Sequence, residues 1–152
     1  MFNRFSRLAA TSVLILGALA GSASAAEIEV KMLNSDGEGK RMLFQPDFIK
    51  ANVGDTVKFI LAEMPHNAES IPELWPEGVP TFKGKLNEEI TITIDKPGIY
   101  GIKCMPHYTM GMIAMIVAGD EHPNKDQLDT YKPKGKESTK RFEEFKAQLA
   151  AQ

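Results

Sequence analysis

From Glu27 onward, apolar and polar residues alternate in short runs closed by turn residues, the period-two signature of half-buried strands. Glu27-Ile28-Glu29-Val30-Lys31-Met32-Leu33 runs into the turn Asn34-Ser35-Asp36-Gly37. Thr56 to Leu61 follows Val53-Gly54-Asp55, and Ile90 to Ile94 follows Asn87-Glu88-Glu89. The turn Asp95-Lys96-Pro97-Gly98 leads into Ile99 to Cys104, and Met112 to Val117 closes the series. Short strands at this spacing predict an antiparallel sandwich or barrel over about residues 26–119.

The alternation stops after Ala118-Gly119-Asp120. Residues 123–131 and 138–152 carry helix formers, separated by Lys132-Pro133-Lys134-Gly135. Phe142, Phe145 and Leu149 recur at helical spacing, with Lys140, Glu144 and Lys146 on the opposite face. One apolar stripe needs one surface to cover, so residues 120–152 are expected as two helices packed on the sandwich.

The first stretch has the order of a secretory leader: Arg4 and Arg7, an apolar run from Leu8 to Ala20, then Ala23-Ser24-Ala25 as a small-residue cleavage site. Cleavage near Ala25/Ala26 leaves residues 26–152 as one domain, and the apolar run is short for a bilayer span. Without Arg4 and Arg7, sixteen basic side chains face twenty acidic ones, a net charge of about −4 that disfavours nucleic acid as a partner. Export permits disulfides, yet Cys104 is the single cysteine. A lone cysteine there is a buried filler, an intermolecular link, a reactive thiol or a metal-bound thiolate.

Its neighbours favour the metal. Cys104-Met105-Pro106-His107-Tyr108-Thr109-Met110-Gly111-Met112 places a thiol, an imidazole and thioethers between two predicted strands. Sulfur stabilises Cu(I) and imidazole nitrogen accepts Cu(II), so this donor set suits copper in both oxidation states. The second imidazole must come from elsewhere, and His66 and His122 are the other histidines. His66, in Met64-Pro65-His66-Asn67, is favoured because its loop leaves the same β framework that presents Cys104. Spacing leaves both Met110 and Met112 open as the thioether.

The Cys-x2-His-x4-Met loop with Pro65-His66-Asn67 upstream resembles the cupredoxins, the type 1 blue copper proteins, and among them the pseudoazurins. Plastocyanins share the loop spacing but lack a helical tail, and amicyanins use a shorter loop. The likeness spans nearly all of residues 27–152. It implies a mainly β fold, an antiparallel or mixed Greek-key sandwich with two C-terminal helices. It implies one copper ion held by His66, Cys104, His107 and Met112. It also implies that Asn67 donates its backbone N–H to the Cys104 sulfur and ties the two ligand loops, that Pro106 withholds a second N–H, and that Met42 lies near the exposed ligand His107.

By the same resemblance the chain is a periplasmic, monomeric electron carrier and not an enzyme. It would dock transiently through an apolar patch of Met42, Met64, Pro65, Pro106 and Met110, steered by Lys83, Lys85 and Lys103. Met64 stands where many relatives carry lysine. Expected partners are a denitrification reductase such as copper nitrite reductase, and cytochromes. The alternative is a copper-binding chaperone or storage protein, which would expose its methionines to exchange metal. Cys104 with two histidines argues for retention.

Overall fold

The computed structural model describes residues 25–152. The predicted leader therefore falls almost wholly outside the described residues. Eight strands form two sheets: β1 (Glu27–Ser35), β2 (Arg41–Gln45), β3 (Phe48–Ala51), β4 (Thr56–Leu61), β5 (Glu69–Ser70), β6 (Ile90–Thr93), β7 (Gly98–Lys103) and β8 (Ile113–Ala118). One sheet has the order β2-β1-β4-β6 and the other β3-β8-β7-β5. Each contains a parallel pair, β1 with β4 and β3 with β8, beside antiparallel neighbours. The sandwich is therefore mixed rather than purely antiparallel.

Alternation in β1 works as its sequence implies: Val30 and Met32 are fully buried while Glu27, Glu29 and Lys31 face solvent. They join Phe44, Val57, Phe59, Ile94, Tyr100, Ile102, Ala114 and Ile116 in the core between the sheets. β8 reads as an unbroken apolar run because both of its faces are covered. Ala114, Ile116 and Ala118 point into the sandwich, while Ile113, Met115 and Val117 meet the C-terminal segment on the outside.

That segment contains α1 (Gln127–Thr130) and α2 (Lys136–Ala150). The first is a single helical turn preceded by turns, much shorter than the predicted 123–131, because its side chains serve as clamps. Asn124 accepts the Ile99 N–H at 2.9 Å and donates to the Ile99 carbonyl at 2.8 Å. Gln127 brackets the backbone of Trp75 in the same way. α2 buries Phe142, Phe145 and Leu149 on the outer face of the second sheet, as its periodicity predicts. Each buried Phe contributes roughly 2–3 kcal/mol of apolar transfer.

Candidate metal centre

Two loops meet at one end of the sandwich. The first leaves β4 and carries Met64, Pro65, His66 and Asn67; a backbone bond from Asn87 to the His66 carbonyl (2.7 Å) fixes it to the segment before β6. The second leaves β7 at Cys104 and returns to β8 through a 3-10 turn at Tyr108–Met110. Its shape is set by backbone bonds from His107 N to Cys104 O (3.2 Å), Met112 N to His107 O (3.2 Å) and Cys104 N to Met112 O (3.0 Å). Gly111, at φ +96°, takes the left-handed step that returns the chain toward β8.

These loops bring His66, Cys104 and His107 together, with their donor atoms within 4.8 Å of one another. The Nδ1 atoms of His66 and His107 are 3.1 Å apart, and Cys104 Sγ lies 3.8 and 3.6 Å from them. Ligand–ligand edges of about 3.3–3.7 Å follow from metal–nitrogen and metal–sulfur bonds of ~2.0 and ~2.3 Å to a first-row ion. The triangle therefore has the size of a metal's coordination sphere, and its donors suit copper. His122, at the entry to the helical segment, is not part of the cluster.

Burial lowers the affinity of both imidazoles for a proton, and at His66 the neighbouring His107 lowers it further. Both rings thus favour the neutral form that a metal needs. Burial pushes the Cys104 thiol up, opposed by the backbone N–H groups of Asn67 and His107. A cation at the triangle would offset that desolvation and hold the thiolate.

Burial also separates the methionines. Met112 is fully buried in the cluster that contains Cys104, whereas Met105 and Met110 are 53% and 46% exposed. Met42 packs against the same cluster. Asn67 joins the loops through its side chain, accepting the Met105 N–H at 2.8 Å and donating to the Gly84 carbonyl at 3.0 Å.

His66 and Cys104 are fully buried, and His107 is partly exposed. Met64, Pro65, Met105, Pro106 and Met110, from the two ligand loops, are exposed; Lys83 and Lys85 line an apolar groove with Leu86, Met105 and Pro106. Lys103 differs from them, being ion-paired with buried Glu69 (3.5 Å) and lying over the Tyr108 ring. Sequence reasoning missed Glu69 and Leu86. Its place three residues after a candidate ligand was the available signal for Glu69, whereas its pairing with Lys103 follows from the register of β5 with β7.

Residues 30–119 match the family described as copper binding proteins, plastocyanin/azurin family. The chain belongs to this family. A pseudoazurin of Paracoccus pantotrophus is 46% identical over 125 residues, covering 82% of this chain and 85% of the relative. One from Methylorubrum extorquens is 41% identical over 117 residues, covering 77% and 78%. The crystal structure of native pseudoazurin from Hyphomicrobium denitrificans superposes with a TM-score of 0.76 at 43% identity, covering 80% of this chain and 97% of that one. This cupredoxin is accordingly a blue copper electron-transfer protein and not an enzyme, with a single type 1 copper as its cofactor.

Proposed function

We propose that the chain is an exported shuttle for single electrons, with copper held by His66 Nδ1, His107 Nδ1, Cys104 Sγ and the Met112 thioether. The convergence of two imidazole nitrogens and one thiol sulfur in a triangle of 3.1 to 3.8 Å carries this reading. Copper bound there supplies a Cu(II)/Cu(I) couple that its sulfur and nitrogen donors accept in both states. The protein supplies fixed geometry: three ligands sit on one hydrogen-bonded loop and the fourth is tied to it by Asn67. Full burial of Met112 in the Cys104 cluster favours it over Met110.

His107 alone among the four ligands reaches solvent, so its ring edge is the proposed route for the electron. The exposed Met64, Pro65, Met105, Pro106 and Met110 form the apolar docking patch, with Lys83 and Lys85 at its rim. Charges at a rim steer encounter more than they hold a complex, which suits a carrier that must leave quickly. The partners we propose are acidic-faced redox proteins of the periplasm, among them a denitrification reductase such as copper nitrite reductase, and cytochromes. Residues 1–25 serve as the export signal. Release after Ala25 leaves the Ala26 nitrogen as an ammonium 2.8 Å from an Asp55 oxygen, a paired position for a new terminus.

Loading the processed protein with Cu(II) tests the site: an intense visible thiolate-to-copper band is expected, lost in Cys104→Ser. Absence of the band from copper-loaded protein would defeat the ligand assignment. Stopped-flow mixing of the reduced protein with copper nitrite reductase tests the partner, and a rate no faster than that of free Cu(I) complexes would remove it.

A further inference from the structure

The first turns of α2 lie directly against the ligand loop. A Cβ on Gly135 would come 2.5 Å from the Thr109 carbonyl oxygen, and one on Gly111 would come 3.2 Å from Glu137 Cβ. On the same side of the helix, Ser138 Oγ donates to the Tyr108 carbonyl and Arg141 Nη1 donates to the Gly111 carbonyl. Arg141 also reaches the Met42 carbonyl at 3.3 Å, and its Nε lies 4.0 Å from Asp47. Its side chain is about nine-tenths buried.

A buried guanidinium is costly unless paired and fully hydrogen-bonded. Apolar contacts would hold a helix on a sheet without that cost, so the position of the charge calls for a reason. The Gly111 carbonyl belongs to the peptide unit whose nitrogen begins Met112. Turning that unit turns the Met112 backbone. Met112 is otherwise held by bonds within its own loop and to the end of β7. Met42, the second carbonyl held, sits at φ +49°, a region costly for a residue with a Cβ.

We propose that Arg141 is a positioning residue for the Met112 thioether: anchored by Asp47, it pins the Gly111 and Met42 carbonyls and so fixes how closely Met112 approaches the triangle of His66, Cys104 and His107. This rests on the assignment of Met112 as a ligand. Soft sulfur keeps Cu(I) accessible, but a fourth donor of any kind stabilises the more highly charged Cu(II) more than Cu(I), which accepts three ligands, so a retreating Met112 would raise the reduction potential. Loss of the Arg141 charge acting through space has the opposite sign, because a nearby cation favours Cu(I). The two effects are therefore separable.

The test makes Arg141→Met and Arg141→Lys in the wild-type and Met112→Leu backgrounds of the copper-loaded full domain. It reads midpoint potential, the relative intensities of the visible bands, the Met112 methyl resonance and the melting temperature of the metal-free protein. Arg141→Met should raise the potential, alter the band ratio and move the methyl resonance. Arg141→Lys, which keeps the charge and a donor, should restore most of both optical and redox signatures. In the Met112→Leu background the band ratio should no longer respond to Arg141. A lower melting temperature with unchanged potential and bands would show a purely structural role and overturn the proposal. A fall in potential of equal size in both backgrounds would overturn it in favour of charge alone. If Arg141→Met does not fold, Asp47→Asn, which keeps the guanidinium but loosens its anchor, carries the same expectation. A wild-type spectrum and potential in Met112→Leu alone would sink the ligand assignment, and this proposal with it, before any Arg141 variant is made.

Discussion

Asn67 offers a direct measurement of what joins the two ligand loops. The side chain is buried, accepts the Met105 N–H at 2.8 Å, and donates to the Gly84 carbonyl at 3.0 Å and to Glu69 at 3.3 Å. Asn67→Ala removes the bridge and strands two backbone groups. A buried group left without its partner costs about 1–3 kcal/mol. Met105 is at the surface and water reaches its N–H more readily, so the expected sum is ~2–4 kcal/mol. For a domain of this size each kcal/mol is worth about 3–5 °C, and the melting temperature should fall by ~6–20 °C. The assay is thermal unfolding of metal-free protein, because bound metal adds stability by mass action and hides the loss. Asn67→Asp is the control. It keeps an acceptor for Met105 but loses the donor to Gly84 and sets a second carboxylate beside buried Glu69. It should therefore be less stable than Asn67→Ala at neutral pH and recover as the pH falls. A loss below about 0.5 kcal/mol in Asn67→Ala would show that solvent replaces the bridge, and the loops are then joined only by the metal.

Other perturbations follow from the same geometry. Pro106→Ala restores an N–H close to the thiolate and should raise the reduction potential; an unchanged or lower value in a redox titration refutes it. Lys83→Glu with Lys85→Glu should slow association with an acidic partner by about tenfold at low salt and flatten the salt dependence. An unaltered stopped-flow rate would leave those lysines as ordinary solvated side chains. N–H donation from Ala26, then from Asn52, holds the Asp55 carboxyl below its ordinary 3.8. Its contribution is present above that ordinary value and is lost as the pH falls through the lower folded one. Asp55→Asn should accordingly show a shallower fall in melting temperature on acidification, and a parallel curve would refute the assignment.

Strands were legible where one face is buried and one wet, as in β1 and β4, and where a run is apolar throughout, as in β8. β2 and β3 were not, because only Asp47 and Pro46 separate them and neither shows a clean period of two. β5 is two residues long, too short for any period. The parallel pairing of β1 with β4 was equally hidden, since side-chain alternation reports which face is buried and says nothing of a neighbour's direction. The helical tail divides the same way. Phe142, Phe145 and Leu149 announce α2, whereas Asn124 and Gln127 spend their side chains on strand and loop backbones and leave α1 as one turn.

At the site, Cys104 and His107 could be read from spacing because a short loop forces its own residues together. His66 needed the inference that a loop after β4 reaches the end of the sandwich, and the structure places its Nδ1 3.1 Å from that of His107. What spacing could not show is support from remote sequence. Arg141 follows Gly111 by thirty residues and reads locally as one of several charges on an amphipathic helix. Its burial, with Asp47 as counter-charge, distinguishes it from Lys140 and Glu144 on either side, which face solvent. A tail that only covered the outer sheet would need Phe142, Phe145 and Leu149 and nothing more. Ser138 lies one turn before Phe142 and Arg141 immediately precedes it, and they bond to the carbonyls of Tyr108 and Gly111, flanking residues of His107 and Met112. The C-terminal helix is in that sense part of the framework that holds the metal loop, and its polar side chains are where that role is visible.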